Sequence, residues 1–579
     1  MVISGKCLMK TRKERKRGKV SDVFLISVDR GQRTALERSF ESQCRTNMED
    51  AGASGLPAFR GFGSPSNFTQ YKKINPMTET RIEASSPQAG GLKRTFGMRE
   101  AVTITAGSVI GVGLFTTGSN VVGTLGPAVI LATLLALAVS IYPALLYAEM
   151  GAALPYAGGT YQFASLGLGR AAGMLAGWNF IISLVAVTGG EALAFSYYFR
   201  TLFLAFGYDL PISDVVLASI VTAGFIVANV FGVKLTGKLQ NGFMFFFWGV
   251  AFIWFLTMIP NVHLPSFVRA PEFLHATTPL GFFSATCMIW WCFAGFEACV
   301  AMGEEIKYPH INVPRAMFLA PFVVFAVNAL FQWYLVGITP PDQIASLADA
   351  EAPFAQAMKA AGILGFPLAL LAAGIAFGGD FSTLNASIST PPRYLFTMAR
   401  DGSMPKVFAI TSKKYQTPYV AVIVLGVLSV ALIATNSLEY IASLSLFADL
   451  FYYVLGIIAA LALRKKHPEL KRSYKAPWIK VGAPVSAVIY VLMMTQLDAN
   501  AFITGVLWCV LGIAIYLVCR WKYGKAGEFT LDLAASGADD VPPPEEKRAM
   551  DREYLIWKVI VSASCVIAVV LYIFPFFVK

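Results

Sequence analysis

The sequence predicts an all-α, polytopic membrane protein with 12 core spans plus one extra C-terminal span, and three observations carry that prediction. Of 579 residues, 56% are hydrophobic and 14% charged, far from the balance of a soluble globular chain. Apolar stretches of about bilayer length recur from residue 99 to residue 578. The basic residues collect in alternate connections, so the formal charge of +12 is an orientation signal rather than a nucleic-acid signature.

The expected spans, in order, are about 99–122, 127–152, 172–198, 213–231, 238–260, 281–303, 315–338, 363–390, 418–436, 440–463, 481–497, 501–520 and 556–578. Residues 1–96 are polar and basic, with runs such as Lys10-Thr11-Arg12-Lys13, and are expected to be a disordered cytoplasmic extension. Met77 is expected as an alternative translation start, because the tail from there to span 1 has an ordinary length. Residues 97–520 form the core and 521–555, with Pro542-Pro543-Pro544, a cytoplasmic linker to the last helix, 556–579. Placing the N-terminus inside puts Arg170, Lys234, Lys307, Arg315, Arg393 and the basic run 464–480 inside, and leaves little beyond Arg200, Arg269 and Lys359 outside.

Chemistry that the sequence does not support is as informative. Eight cysteines form no CxxC pair and four histidines have no ligand spacing, so neither a disulfide framework nor a metal cluster is expected. No catalytic triad, metal group or phosphate loop marks a membrane enzyme.

Two spans are interrupted. The first holds Ser108-Val109-Ile110-Gly111-Val112-Gly113, the sixth Trp291-Cys292-Phe293-Ala294-Gly295-Phe296-Glu297. Glycine weakens a helix and lets backbone approach a ligand, and unpaired backbone at membrane depth is tolerated only where it lines a cavity or is covered by protein. The offset of five spans is the one that a five-plus-five inverted repeat with discontinuous helices 1 and 6 requires. The amides of Val112 and Gly113 are expected to receive a carboxylate, and carbonyls near Ile110 and from Trp291 to Ala294 an ammonium group. The alternative is that these glycines serve helix packing. Glu297 is an acid within a span, so it is either a proton carrier or a scaffold holding the break open. Asp380, Ser382 and Thr383 in span 8 are either a candidate cation site or hydroxyls bonded to their own helix. Glu191 and Asp449 are relay members or local anchors.

The first motif, with Tyr147-Ala148-Glu149-Met150-Gly151, Pro155-Tyr156-Ala157-Gly158-Gly159, Gly303-Glu304-Glu305-Ile306-Lys307-Tyr308-Pro309 and Arg393-Tyr394-Leu395-Phe396, resembles the amino acid/polyamine/organocation transporter superfamily over about residues 95–520. That resemblance implies a plasma-membrane amino acid permease working by alternating access. It also implies that spans 1 and 6 hold the substrate backbone, that Trp291 is an aromatic gate, and that Glu297 is gating or proton-linked. Some members carry a coupling lysine in span 5, where Phe247 or Trp248 stands here. Residues 199–212 lack the cysteine that a disulfide-linked heavy chain needs. The expected partners are therefore a small-molecule substrate and lipid. No cofactor is expected, and H+ or Na+ is the coupling ion. The competing functions are an amine, ethanolamine or polyamine permease and a solute sensor without flux.

Overall fold

The computed structural model describes residues 8–16, 19–27, 96–107, 110–156, 158–231, 233–415, 417–523 and 541–577. It separates into two units, residues 1–86 and 87–579. In the first unit, where sequence reading expects disorder, β1 (Leu8–Lys16) and β2 (Lys19–Ser27) pair antiparallel from Leu8 opposite Ser27 to Lys16 opposite Lys19. Val20, Val23, Phe24 and Ile26 favour a strand. Met77 and the rest of the extension lie outside the described residues.

The second unit is helical, and every expected span has a helical counterpart. In order these are α1 (Met98–Gly107), α2 (Gly118–Leu125), α3 (Val129–Ala153), α4 (Gly159–Gly167), α5 (Arg170–Leu204), α6 (Asp214–Val230), α7 (Val233–Met258), α8 (Pro279–Trp291) and α9 (Ala298–Ala301). Then come α10 (Pro309–Ile338), α11 (Phe366–Gly374), α12 (Phe381–Ser389), α13 (Pro391–Arg400), α14 (Tyr419–Ile433), α15 (Leu438–Lys466), α16 (Ile479–Met494), α17 (Ala499–Tyr523) and α18 (Pro544–Ile573). Short helices at Pro265–Val268, Ala270–Ala276 and Pro353–Ala360 fill connections. Among the described residues, eight helices are long and apolar enough to cross a membrane; Asp214–Val230, Tyr419–Ile433 and Ile479–Met494 are apolar but shorter.

The interruptions fall where the glycines are. Span 1 is α1 and α2 separated by a bend at Ile110 and Gly111 and a wide π turn at Gly113–Thr117. Span 6 breaks between α8 and α9, where Cys292, Phe293 and Ala294 close tight turns onto Ile289, Trp290 and Trp291, and Gly295 takes φ +96°. A third irregularity was not foreseen: span 8 carries a π segment at Ile375–Asp380, containing Gly378-Gly379, between α11 and α12. Wide turns of this kind concentrate at functional sites.

Most of the core is a large apolar cluster running through the spans, rich in buried aromatics such as Trp254, Trp290, Tyr147 and Phe115, with a smaller cluster around Leu193, Leu384 and Ile441. α18 runs against α10, with the Trp333 indole donating to the Leu571 carbonyl at 3.1 Å and an Arg315–Asp551 ion pair nearer its start. The segment after span 6 is stitched to the chain before span 1, Phe96 N–H to Glu305 carbonyl at 3.0 Å and Lys307 N–H to Phe96 carbonyl at 2.7 Å.

Candidate functional site

The two broken helices meet. The Cys292 thiol of span 6 donates to the Gly113 carbonyl of span 1 at 3.0 Å, and a Cβ on Gly118 would sit 2.5 Å from the same sulfur. Glycine at 118 is therefore required for this approach, so the packing role and the cavity role of the span 1 glycines coexist at different positions.

Beside this junction lies a small cavity of about 30 Å³. Spans 1 and 6 contribute Val112, Gly113, Trp291, Ala294, Gly295 and Glu297; span 3 contributes Ser183, Leu184, Val187 and Glu191; spans 8 and 10 contribute Thr383, Asp449 and Tyr452. At that volume it has room for about two waters, so a solute of amino acid size requires the walls to part. Of the expected substrate-binding residues, Val112, Gly113, Trp291 and Ala294 line it. Ile110, Gly111, Cys292 and Phe293 are buried but outside its lining, and Ser108 lies outside the described residues.

Some of the backbone groups assigned to a substrate already have partners. Val112 N–H donates to Glu191 Oε1 at 2.9 Å, so a carboxylate does sit on this amide, but it belongs to span 3. The Glu191 carboxylate occupies the place where a Cβ on Gly111 would stand, 2.2 Å from Oε1. Gly111 thus serves by making room for an acid. The Ile110 carbonyl accepts from the Thr383 hydroxyl at 3.0 Å, tying the bend in span 1 to span 8. Gly379 packs in the same joint, its missing Cβ leaving 2.9 Å to the Phe115 ring.

The expected cation site divides in three. Ser382 turns away to accept from Gln240 of span 5 at 2.7 Å, and Thr383 faces span 1. Asp380 is wholly buried and faces Glu191 within hydrogen-bonding reach. Among the described residues no group of three or more His, Cys, Asp or Glu side chains is arranged to hold a metal.

Glu297 has a different setting. The Tyr452 and Tyr453 hydroxyls both donate to its carboxylate, and the Gly295 N–H donates to the Tyr453 oxygen at 3.2 Å. The scaffold alternative expected backbone partners; the Gly295 and Glu297 backbone does reach the carboxylate, and tyrosines of span 10 are added to it. Trp291 is anchored too, its indole donating to Ser445 at 3.0 Å. Asp449 accepts from Ser183 at 2.5 Å and from Ser445 at 3.4 Å, extending the network to span 3.

Sequence reasoning missed Ser183, Val187, Tyr452 and Tyr453. The available signal was the polar rhythm Ser445, Asp449, Tyr452, Tyr453, which places one polar stripe along an otherwise apolar helix.

At the end that loop charge assigns to the inside, Glu149 is buried against Arg464 and Arg472 and accepts from Ala476 N–H at 2.8 Å. Glu305 contacts Arg393 at 3.1 Å, while Arg315 pairs with Asp551 of α18. These ties join spans 2, 10, 6 and 8 below the cavity.

Comparison with known proteins gives a consistent result. A family model described as amino acid permease matches residues 96–519. The chain is 24% identical over 455 residues to a branched-chain amino acid permease of Bacillus subtilis, covering 76% of this chain and 95% of that protein. It is 25% identical to a methylthioribose transporter of the same organism, covering 76% and 96%. It is also 25% identical to the vacuolar cationic amino acid transporter 8 of Arabidopsis thaliana, covering 78% and 77%.

Proposed function

We propose that this chain, which belongs to the amino acid permease family, carries an amino acid across the plasma membrane by alternating access, coupled to protons in symport or exchange. Membership makes it a multi-pass transporter of a small molecule and not an enzyme. The finer reading is a five-plus-five inverted repeat of 12 core spans with one added C-terminal span and an N-terminus inside the cell. The corresponding breaks in spans 1 and 6 and the loop charges support it.

The observation that carries the reading is the cavity where those breaks meet, with Val112 and Gly113 on one wall and Trp291 and Ala294 on the other. A substrate carboxylate addresses the helix start at Val112 and Gly113. Its ammonium group addresses the carbonyl ends of the span 6 break and Asp449. Trp291 closes over the substrate, and Glu297, clamped by two tyrosines, moves with span 6 as a gate. The substrates named for the relatives differ, and the walls from spans 3 and 10 are where side-chain selectivity is set.

One observation favours a second reading. Glu191, Glu297 and Asp449 line the cavity and no basic side chain does, which suits an amine without a carboxylate, such as ethanolamine or a polyamine. Radiolabelled uptake into proteoliposomes, competed with the standard amino acids, ethanolamine and polyamines, tests both. Accumulation blocked by amino acids supports the first. Competition by carboxylate-free amines alone replaces it with the second, and binding without accumulation or exchange replaces both with a sensor.

A further inference from the structure

Glu191 and Asp380 are 1% and 0% exposed, and among the described residues both Asp380 oxygens and Glu191 Oε2 have no hydrogen-bond donor. Two ionised carboxylates can only accept, so no bond forms between them as anions. Like charges at such range do not ionise together, and buried charge without a partner is not tolerated. One proton between the facing oxygens satisfies both acids at once.

Resting on the permease reading, we propose that Glu191 and Asp380 share a single proton and that this pair is the coupling site, linked to substrate through the Val112 amide. Glu191 has two ends. Oε1 sits on the Val112 N–H, the seat assigned to the substrate carboxylate, and the other neighbour of the carboxylate is the Asp380 side chain. A substrate carboxylate arriving at Val112 displaces Oε1 and removes the one donor that the described residues give the ionised Glu191. Glu191 then holds the shared proton outright, and Asp380 takes up a second from solution. Substrate binding therefore binds one proton, and release on the other side of the membrane returns it.

The groups facing the pair come from several spans. From span 3, Tyr198 lies near Asp380 and donates to the Phe115 carbonyl at 2.6 Å. From span 1 the pair meets the Val112 amide, and from span 8 Thr383 is committed to Ile110. Across the cavity stand Glu297 with Tyr452, and Asp449 with Ser183. No basic side chain among the cavity residues supplies a positive charge that would let both acids ionise.

The test uses full-length protein in proteoliposomes. Wild type should accumulate substrate under an inward proton gradient without sodium. Asp380→Asn, which imitates the protonated acid, should lose gradient-driven accumulation at least ~10-fold while retaining counterflow at equal pH. Retained gradient-driven accumulation in Asp380→Asn overturns the proposal, as does sodium-driven accumulation in wild type that the variant abolishes. Absence of counterflow in wild type sinks the permease reading instead. An infrared measurement then still judges the pair: a carboxylic-acid C=O band at neutral pH should vanish in Asp380→Asn and persist in Asp449→Asn. Should Asp380→Asn fail to fold, Glu191→Gln must remove the same band, and its persistence refutes the shared proton.

Discussion

Glu297 and Glu191 stand on two walls of one cavity, equally buried, yet only one of them is furnished to stay charged. Glu297 receives two tyrosine hydroxyls from span 10. Glu191 receives one amide and otherwise faces Asp380, whose oxygens have no donor. Burial alone therefore does not identify a proton carrier; the supply of donors to the ionised form does.

The largest expected effect tests the crowded side of this comparison. Gly111→Ala puts a Cβ 2.2 Å from Glu191 Oε1, whereas Gly113→Ala meets only ordinary contacts, the nearest 3.5 Å away at Cys292 Cα. Uptake should fall ~100-fold for the first, as misplacement of about an ångström does elsewhere, and less than ~10-fold for the second. Equal tolerance at the two positions would remove Gly111 from its role.

Tyr453→Phe takes one donor from Glu297. Thermal unfolding in detergent should show a loss of about 1–3 kcal/mol, while the pH dependence of uptake stays that of wild type. A shifted pH profile would move the proton role back to Glu297 and erase the distinction between the two acids.

Asp401 applies the donor rule outside the spans. Burial pushes its carboxyl up to about 6, against opposing bonds from Ser403. A carboxyl raised on folding contributes stability that is present below about pH 4 and is lost as pH rises through about 6. Asp401→Asn should therefore stabilise the protein by about 1 kcal/mol above pH 7 and change little near pH 4, read as the thermal midpoint at each pH. No pH dependence of that difference would show the site to be indifferent to its charge.

The smallest effect belongs to the half-exposed Arg315–Asp551 pair that pins α18 to α10. Asp551→Asn should cost less than ~1 kcal/mol, and less still at high salt. A larger cost would mean that the added helix braces the core through charge rather than through Trp333 and its apolar neighbours.

Helix type, span positions and both breaks were legible in the sequence, because hydropathy over bilayer length and glycine within an apolar run are local properties. The partner of the Val112 amide was not, since Glu191 lies 79 residues away. Nor was the separation of Ser382 from Asp380, adjacent but one in sequence, which a π segment ending at Asp380 turns toward different spans. Tyr452 and Tyr453 read as two aromatic residues of an apolar helix until span 6 was placed against them. The sequence by itself determined a many-spanning helical chain with two glycine-marked breaks in its apolar spans. Only the tertiary structure decided which acid has donors and which needs a proton. In a bilayer the outward face of a helix is as apolar as the buried one, so helical rotation leaves little periodic trace, and packing alone brings the acids together.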